Sequence, residues 1–386
     1  MKRQTRSAIC FLIGAFVCTM SSTLSLSVGP AAAVSSIALR EPPLALGGLI
    51  NSSSCVTGPV CVSIGWNHHG NAGYYWAARW RDQQWSKLPA PPNDGSAGIG
   101  NLVISCATTT WCMSTGSTGI SPGNHPLADE LIGLTWKSLS VPTPKGSTDF
   151  SLNKLDCRTT TWCIATGSYV ANKPDYIDAT FLISEVWNGS KWHMVSIYSP
   201  RTYAQQIDPG MTPGGDHPTA SPQQLSCVSK TFCVIPGFWN GVFVEQWNGR
   251  RWSEETAPNY AWRPPGDSEF SGGTCVSTTN CLGTGGYAVS NGAWRPLIER
   301  WNGQTWKIVV LPKLPTRFRH GVGFRLTQVD CASAKFCVAL GDPRFANTGV
   351  NGLKWNGRTW SYVTVAGSRA TPVILCWSKA NCELID

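Results

Sequence analysis

Two cysteines separated by five residues recur seven times along this chain of 386 residues. The pairs are Cys55 and Cys61, Cys106 and Cys112, Cys157 and Cys163, Cys227 and Cys233, Cys275 and Cys281, Cys331 and Cys337, and Cys376 and Cys382. Six of the seven pairs are followed by a tryptophan-containing hairpin pattern of the same kind. A repeat kept over most of a chain predicts an architecture in which each unit buries its core against its neighbours.

The first 33 residues have the pattern of a secretory signal peptide. Three basic residues near the start precede an apolar core at residues 9–17, and small residues at 31–33 suit cleavage. The alternative is a membrane anchor, but the polar residues within 21–27 interrupt the apolar run well short of a span of about 20 residues. We therefore expect a secreted protein, extracellular or associated with the cell wall, with no membrane span in the mature chain.

The cysteine count predicts disulfides. Of 16 cysteines, Cys10 and Cys18 lie in the signal segment, and all others belong to the seven pairs. An even number at one fixed spacing in an exported chain is typical of disulfides, whereas structural zinc sites favour two to four residues between ligands. Each bridge closes a short loop worth about 2–2.5 kcal/mol, so it clamps a single hairpin. We expect seven disulfides, no metal and no cofactor.

Charge argues against a nucleic-acid partner. The chain carries a formal net charge of +9, but charged residues are only 14% of the total and no Lys/Arg run reaches five. A nucleic-acid surface requires a clustered basic face. The positive charge instead indicates a mild preference for anionic polymers of the cell wall.

Each unit has the pattern of four short strands. In the fourth unit these are residues 224–227, 232–236, 242–247 and 251–255. Strands this short, alternating in polarity and separated by Gly, Asn, Ser and Pro, predict all-β structure. The disulfide would then join the first two strands of each unit.

The tryptophan pairs predict a second hairpin in each unit. Asn-Gly separates the paired tryptophans in four units and suits a type I′ turn, which would place Trp187 and Trp192 diagonally on one face. A glutamate precedes the first tryptophan by two residues at positions 185, 245 and 299. Because both features repeat, we interpret them as packing elements, with the glutamates as cross-strand or inter-sheet partners.

The two ends of the mature chain predict a closed ring. Residues 371–386 hold only the last cysteine hairpin, while residues 34–43 are similar to the closing strand of a complete unit. Pairing of these segments in one shared blade would protect the sheet edges. We therefore predict a single all-β, seven-bladed β-propeller over residues 34–386. An open solenoid is the alternative, but it leaves the split unit unexplained.

The unit signature, a cysteine hairpin followed by Trp-Asn-Gly-x-x-Trp, resembles that of secreted bacterial repeat proteins with seven-bladed propeller folds. A looser resemblance links it to the Asp-box hairpins of sialidase-type propellers, Ser-x-Asp-x-Gly-x-x-Trp. The matching Gly-x-x-Trp halves are Gly189 with Trp192, Gly249 with Trp252, Gly303 with Trp306 and Gly357 with Trp360. Glu185 and Trp187, or their equivalents, stand in place of Ser and Asp, and the catalytic residues of sialidases cannot be placed on this sequence.

A propeller with these units would have one regular face and one variable face. The disulfide hairpins and Asn-Gly turns share the first, and the loops that differ between units share the second, which is where binding residues are expected. The insertion at residues 199–221 stretches one interval between first cysteines to 70 residues, which favours a function. The predicted ligand-binding residues are His68, His69, Tyr169, Asp175, Tyr176, Arg201, Tyr203, Asp216, His217, Trp239, Tyr287 and His320.

These residues predict a monomeric binding module for a carbohydrate or cell-envelope glycan. Aromatic rings stack on sugar faces, while Asp and His hydrogen-bond to hydroxyl groups. One alternative is a glycoside hydrolase, which needs two carboxyls roughly 5–9.5 Å apart. Its candidate acids on the same face are Asp175, Asp178, Asp216, Asp267 and Glu269. A second alternative is an extracellular scaffold that binds proteins.

Overall fold

The computed structural model divides the chain into two units, Met1–Ala33 and Val34–Asp386, and all described residues belong to the second. The signal peptide therefore stays a prediction. The described residues are 49–56, 60–69, 72–82, 84–92, 102–118, 124–173, 176–197, 221–238, 241–258, 268–290, 292–314, 323–341, 352–363, 373–378 and 381–385. This part of the chain has no helix that could span a membrane.

The first three blades are four-stranded antiparallel sheets with neighbouring strands in chain order. Blade 1 contains β1 (Leu49–Val56), β2 (Val60–His69), β3 (Ala72–Arg81) and β4 (Gln84–Leu88). Blade 2 contains β5 (Val103–Thr108), β6 (Trp111–Thr118), β7 (His125–Ile132) and β8 (Thr135–Ser138). Blade 3 contains β9 (Ser147–Thr159), β10 (Trp162–Lys173), β11 (Tyr176–Trp187) and β12 (Trp192–Val195).

Blades 4 to 6 follow the same plan, but the first strand of blade 4 is broken into two pieces. Blade 4 contains β13 (Ser221–Pro222), β14 (Ser226–Ser229), β15 (Phe232–Phe238), β16 (Val242–Trp247) and β17 (Trp252–Glu254). Blade 5 contains β18 (Ser268–Ser277), β19 (Asn280–Ala288), β20 (Trp294–Trp301) and β21 (Trp306–Ile308). Blade 6 contains β22 (Leu326–Ser333), β23 (Phe336–Gly341), β24 (Gly352–Trp355) and β25 (Trp360–Val363).

The described part of the chain forms a β-propeller with six blades, so the prediction of seven was wrong. The last cysteine pair forms only a two-stranded sheet, β26 (Val373–Ser378) with β27 (Asn381–Ile385). The physical reason is that the third and fourth strands of a full blade come from the tryptophan hairpin, which this unit lacks. β26 contacts β22 on one side and β1 on the other. The predicted closing strand at residues 34–43 lies outside the described residues.

All seven predicted disulfides are confirmed, and each joins the first two strands of its unit. The bridges are Cys55 to Cys61, Cys106 to Cys112, Cys157 to Cys163, Cys227 to Cys233, Cys275 to Cys281, Cys331 to Cys337 and Cys376 to Cys382.

The two cysteines of a bridge face each other directly, with Cα atoms 4.0 Å apart between Cys227 and Cys233. So short a separation marks the pair type in which the two residues do not exchange backbone hydrogen bonds. The N–H of the first cysteine therefore points to the open edge of the inner strand.

A side chain of the preceding blade accepts a hydrogen bond from this edge N–H. The acceptor is the residue directly before the first cysteine of the preceding unit, which we call the pre-cysteine residue. The N–H to oxygen distances are 2.9 Å for Cys106 to Ser54, 2.9 Å for Cys157 to Ser105, 2.8 Å for Cys227 to Asp156, 2.9 Å for Cys275 to Ser226 and 2.7 Å for Cys376 to Asp330. These bonds join neighbouring blades around the centre of the ring.

Two steps of the ring depart from this pattern. Thr274 donates to the Asp330 carboxylate (3.4 Å), and that carboxylate also accepts the N–H of Cys331 (2.8 Å). The pre-cysteine residue of the last unit is Leu375, whose side chain has no acceptor. Where the last hairpin meets blade 1, the ring therefore lacks the side-chain acceptor that the pre-cysteine residue supplies elsewhere.

The tryptophan pairs pack within each blade, as predicted. Their ring centroids lie 5.4–5.9 Å apart in blades 1, 3, 4, 5 and 6. In blades 3 to 6 the indole N–H of the first tryptophan donates to a carbonyl in the turn of the disulfide hairpin; for Trp247 and Lys230 the distance is 3.0 Å. This hydrogen bond joins the tryptophan hairpin to the disulfide hairpin, which gives these tryptophans a structural role.

The type I′ turn was a wrong prediction. The paired tryptophans are direct cross-strand partners, so the loop between them has four residues. In blade 4 the Asn248 side-chain oxygen accepts the N–H groups of Arg250 and Arg251, both at 3.0 Å. Only the glycine takes a positive φ, 93° at Gly249, because the asparagine side chain, rather than a left-handed backbone, closes the loop.

We expect Asp156→Ala to lower the free energy of unfolding by about 1–3 kcal/mol, because it leaves the buried N–H of Cys227 without its acceptor. Asp156→Ser should recover much of the loss, since serine fills the same role in three other blades. Chemical denaturation of the oxidised protein measures both. Equal stability of the alanine variant and the wild type would contradict the role of the pre-cysteine residue.

We also expect Gly249→Ala to destabilise the protein more than Gly133→Ala. Both glycines have a positive φ, but a Cβ atom at Gly249 would lie 2.9 Å from the Thr231 side chain, whereas the space at Gly133 is open. The second variant therefore isolates the backbone cost. Thermal unfolding of the two variants gives the comparison, and equal losses would show that the contact with Thr231 does not matter.

Candidate functional site

A cleft of about 340 Å³ opens between blades 5 and 6. One wall is the β19–β20 hairpin, which contributes Tyr287 and Arg295, and a second is the segment of residues 308–314 that leads out of blade 5. Tyr362 on β25 of blade 6 closes the third side. The loop between the second and third strands and the link between blades are the two kinds of connection that the sequence analysis assigns to the variable face.

The polar groups of the cleft are held by the fold. Tyr287 and Arg295 are direct cross-strand partners, and the Arg295 guanidinium donates to the backbone oxygen of Trp294 (3.2 Å). The Tyr362 hydroxyl donates to the backbone oxygen of Pro312 (3.2 Å). Burial raises the pKa of Tyr362 to about 12, with Tyr287 adding to the rise and Arg295 opposing it. Tyr362 therefore keeps its proton at neutral pH.

A charged cluster from other elements lies against the same hairpin. Glu269 of β18 forms an ion pair with Arg325, and the Arg325 guanidinium lies 5.5 Å from the centre of the Trp294 ring. The close approach depends on Gly286, because a Cβ atom there would come within 2.7 Å of Arg325 Cβ. The cluster fixes the orientation of the β19–β20 hairpin and occupies the Glu269 carboxylate.

The structure describes the side chains of two predicted ligand-binding residues, Tyr169 and Tyr287. They occupy equivalent positions, each six residues after the second cysteine of its unit. Tyr287 lines the cleft, whereas Tyr169 stacks on Phe181, its cross-strand partner, with ring centroids 5.3 Å apart. The same position thus faces a cavity in blade 5 and packs within the sheet in blade 3.

The other predicted site residues cannot be assigned to the cleft. His68, His69 and Tyr176 lie on strands β2 and β11, but their side chains are outside the described part of the chain. Also outside are Asp175, Arg201, Tyr203, Asp216, His217, Trp239 and His320. Of the acids considered for hydrolysis, only the Glu269 side chain is described, and it is the one paired with Arg325.

Sequence reasoning missed Arg295 and Tyr362. Arg295 follows Trp294 at the start of a third strand, where an aromatic-basic pair outside the repeated tryptophan positions was a usable signal. Tyr362 lies two residues after a repeated tryptophan and looked like ordinary fourth-strand sequence. Only the packing of blade 6 against blade 5 brings it to the cleft.

The most strongly shifted described carboxyls are not in the cleft. Glu185, Glu245 and Glu299 have fully buried side chains, and no described group donates a hydrogen bond to their carboxyl oxygens. Burial raises the pKa of each to about 8. Shifted pKa values often mark catalytic sites, but catalysis needs access to substrate. The predicted inter-sheet position fits their burial, while the expected polar partner is not seen among the described residues.

Asp129 of blade 2 holds the equivalent position, because it pairs with Ser114 two residues beyond the cysteine as Glu185 pairs with Ala165. Its side chain is also buried, but it accepts a hydrogen bond from Ser138 (2.7 Å). Strand alternation puts Glu185 on the same face as Ile183 and Trp187, which pack against Met113 of blade 2. These acids therefore belong to the interfaces between blades.

Comparisons with known proteins address the fold. No family model matches the chain, and no curated protein matches it either. Among solved structures, YCF48 bound to D1 peptide matches with a TM-score of 0.50 and 11% identity over 87% of this chain and 88% of that one. The GH74 xyloglucanase from Xanthomonas campestris matches with a TM-score of 0.50 and 10% identity, over 84% of this chain and 49% of that one.

Sialidase-type propellers are also among the similar structures. A Hadza microbial sialidase matches with a TM-score of 0.45 and 11% identity, over 81% of this chain and 65% of that one. At this distance the likeness carries no argument about activity. The two matches at a TM-score of 0.50 support the propeller fold alone.

We expect Glu299→Gln to flatten the dependence of stability on pH. The ordinary pKa of a glutamate is 4.5, and in the folded protein Glu299 holds its proton up to about pH 8. Since the unfolded chain releases that proton first, stability should fall as pH rises from about 4.5 to 8. Glutamine cannot ionise, so its variant should lose less stability over this range.

The control is Asp82→Asn, which neutralises an exposed carboxyl in a turn of blade 1. Denaturation midpoints at pH 5 and pH 8 give the slopes for the wild type and both variants. A Glu299→Gln slope equal to that of the wild type would show that this carboxyl does not resist ionisation in the fold.

Proposed function

We propose that this chain is a secreted propeller that binds carbohydrate through its variable face, with the cleft between blades 5 and 6 as a contact site. The observation that carries the proposal is the convergence of Tyr287, Arg295 and Tyr362 on one cavity. Ligand sites in proteins are concave, roughly 300–1,000 Å³ in volume, and combine apolar walls with a few fixed polar groups. The cleft has these properties.

The chemistry of the cleft suits a sugar. Tyrosine rings offer apolar faces together with a hydroxyl group at the edge, which matches the mixed surface of a pyranose ring. The Tyr362 O–H group donates a hydrogen bond to the backbone oxygen of Pro312, so the lone pairs of its oxygen can accept a hydrogen bond from a sugar hydroxyl. The Arg295 guanidinium is a donor to ring or hydroxyl oxygens.

The compartment is consistent with such a role. Seven disulfides indicate an oxidising environment. We propose that residues 1–33 direct export and are removed, and that the mature monomer works outside the cell or at the cell wall. The insertion at residues 199–221 and the other predicted variable-face residues remain candidates for additional contacts with the ligand.

We expect Tyr287→Ala to weaken glycan binding at least tenfold while leaving the fold intact. Tyr169→Ala is the matched control, because it removes the same side chain from the equivalent position of blade 3, where it packs on Phe181 and is not among the described residues that line this cleft. A glycan array screened with the wild type selects the ligand. Titration of that ligand against both variants, with product analysis of the mixtures, gives affinities and any turnover.

Binding without turnover that is lost in Tyr287→Ala and kept in Tyr169→Ala supports the proposal. Turnover of the bound glycan would show an enzyme and replace the binding module with the hydrolase alternative. Silence on the array would contradict glycan recognition. Equal binding by the wild type and Tyr287→Ala would remove the cleft from the site.

A further inference from the structure

The charges around the cleft are unevenly distributed. The described residues that line it include two cationic side chains, Arg295 and Lys313, and none of them is Asp or Glu. The neighbouring acid on the same face is Glu269, and it is already neutralised by Arg325. The side chains in the described part of the cleft lining therefore give it a positive charge.

The position of Arg295 is well defined. Its guanidinium donates to the backbone oxygen of Trp294, and Tyr287 lies directly across the hairpin from it. Its charge acts on the phenol of Tyr362, since it opposes the rise in the pKa of that group. A cation that shares a cleft with two tyrosines is suited to a ligand that carries a negative group beside an apolar ring face.

We propose that the cleft binds an acidic sugar, with Arg295 receiving the carboxylate of a hexuronate residue and Tyr287 and Tyr362 contacting its ring. This inference rests on the proposed glycan binding and specifies its ligand class. Arginine suits the role because its planar N–H groups match the two oxygens of a carboxylate. Lys313, which is exposed at the rim, adds long-range attraction for a polyanion.

The test uses two forms of one polymer, polygalacturonate and its fully methyl-esterified form. Esterification keeps the sugar ring and the linkage but removes the negative charge, so it isolates the carboxylate. We expect the purified full chain, with its disulfides intact, to bind polygalacturonate at least tenfold more tightly than the ester in a solution titration at 0.15 M salt. A factor of ten corresponds to about 1.4 kcal/mol.

Two variants separate the cleft from general charge. Arg295→Gln should lower the affinity for polygalacturonate about tenfold or more and lower the weak affinity for the ester by a clearly smaller factor, since the ester loses a neutral hydrogen bond and no ion pair. Lys307→Gln is the matched control, since it removes one positive charge from strand β21 at a residue that does not line the cleft. It should change the affinity less than twofold. Thermal unfolding of each variant checks that the fold is kept.

Each of the other possible results would refute a specific part of the proposal. Equal binding of the polymer and its ester would refute recognition of the carboxylate while leaving glycan binding in place. Equal losses in Arg295→Gln and Lys307→Gln would show non-specific attraction to a polyanion. If neither polymer binds but the array detects a neutral glycan, the acidic ligand class is wrong and the proposed function stands. If nothing binds in either experiment, both proposals fall.

Discussion

The propeller depends on how the inner edge of each blade is satisfied. A backbone N–H group that is buried without an acceptor costs free energy, and an edge strand with unpaired N–H groups is prone to pair with other chains. Here the disulfide places the first cysteine in a pair whose N–H points to that edge, and the pre-cysteine side chain of the blade before it accepts the bond, as Asp156 does for Cys227. A local covalent clamp and an inter-blade hydrogen bond thus meet at one residue, and their repetition builds the ring.

The same arrangement separates stability from recognition. The disulfide turns and tryptophan loops lie on one face, where an indole N–H such as that of Trp247 ties one hairpin to the other. The sequence analysis predicts that the loops that differ between blades share the opposite face, where they could vary without disturbing these contacts. In blade 5 the tyrosine at the position equivalent to Tyr169 lines the cleft as well as packing against the core. The proposed binding residues therefore lie apart from the disulfides and the tryptophan pairs.

The sequence predicted the features that repeat in each unit and missed those that depend on contacts between neighbouring blades. Even cysteine spacing and paired tryptophans led to the disulfides, the four-stranded blades and the propeller. The blade count failed because the last cysteine hairpin forms only a two-stranded sheet among the described residues, and the turn type failed because the Asn248 side chain satisfies the loop. The sequence predicted only part of the cleft. Tyr287 was identified as an aromatic residue outside the repeated positions, whereas Tyr362 reaches the cleft only through the packing of blade 6 against blade 5. Sequence spacing within a unit holds no information on such contacts between units.

Amide hydrogen exchange at the first cysteine of each unit tests this account most directly. The N–H groups of Cys106, Cys157, Cys227, Cys275 and Cys376 each donate to a pre-cysteine side chain, so they should exchange slowly. Cys55 follows Leu375 in the ring, which offers no acceptor, and its N–H should exchange at least tenfold faster. Protection of Cys55 equal to that of the other five, or fast exchange at all six, would contradict the idea that side-chain bonds between blades hold the ring together.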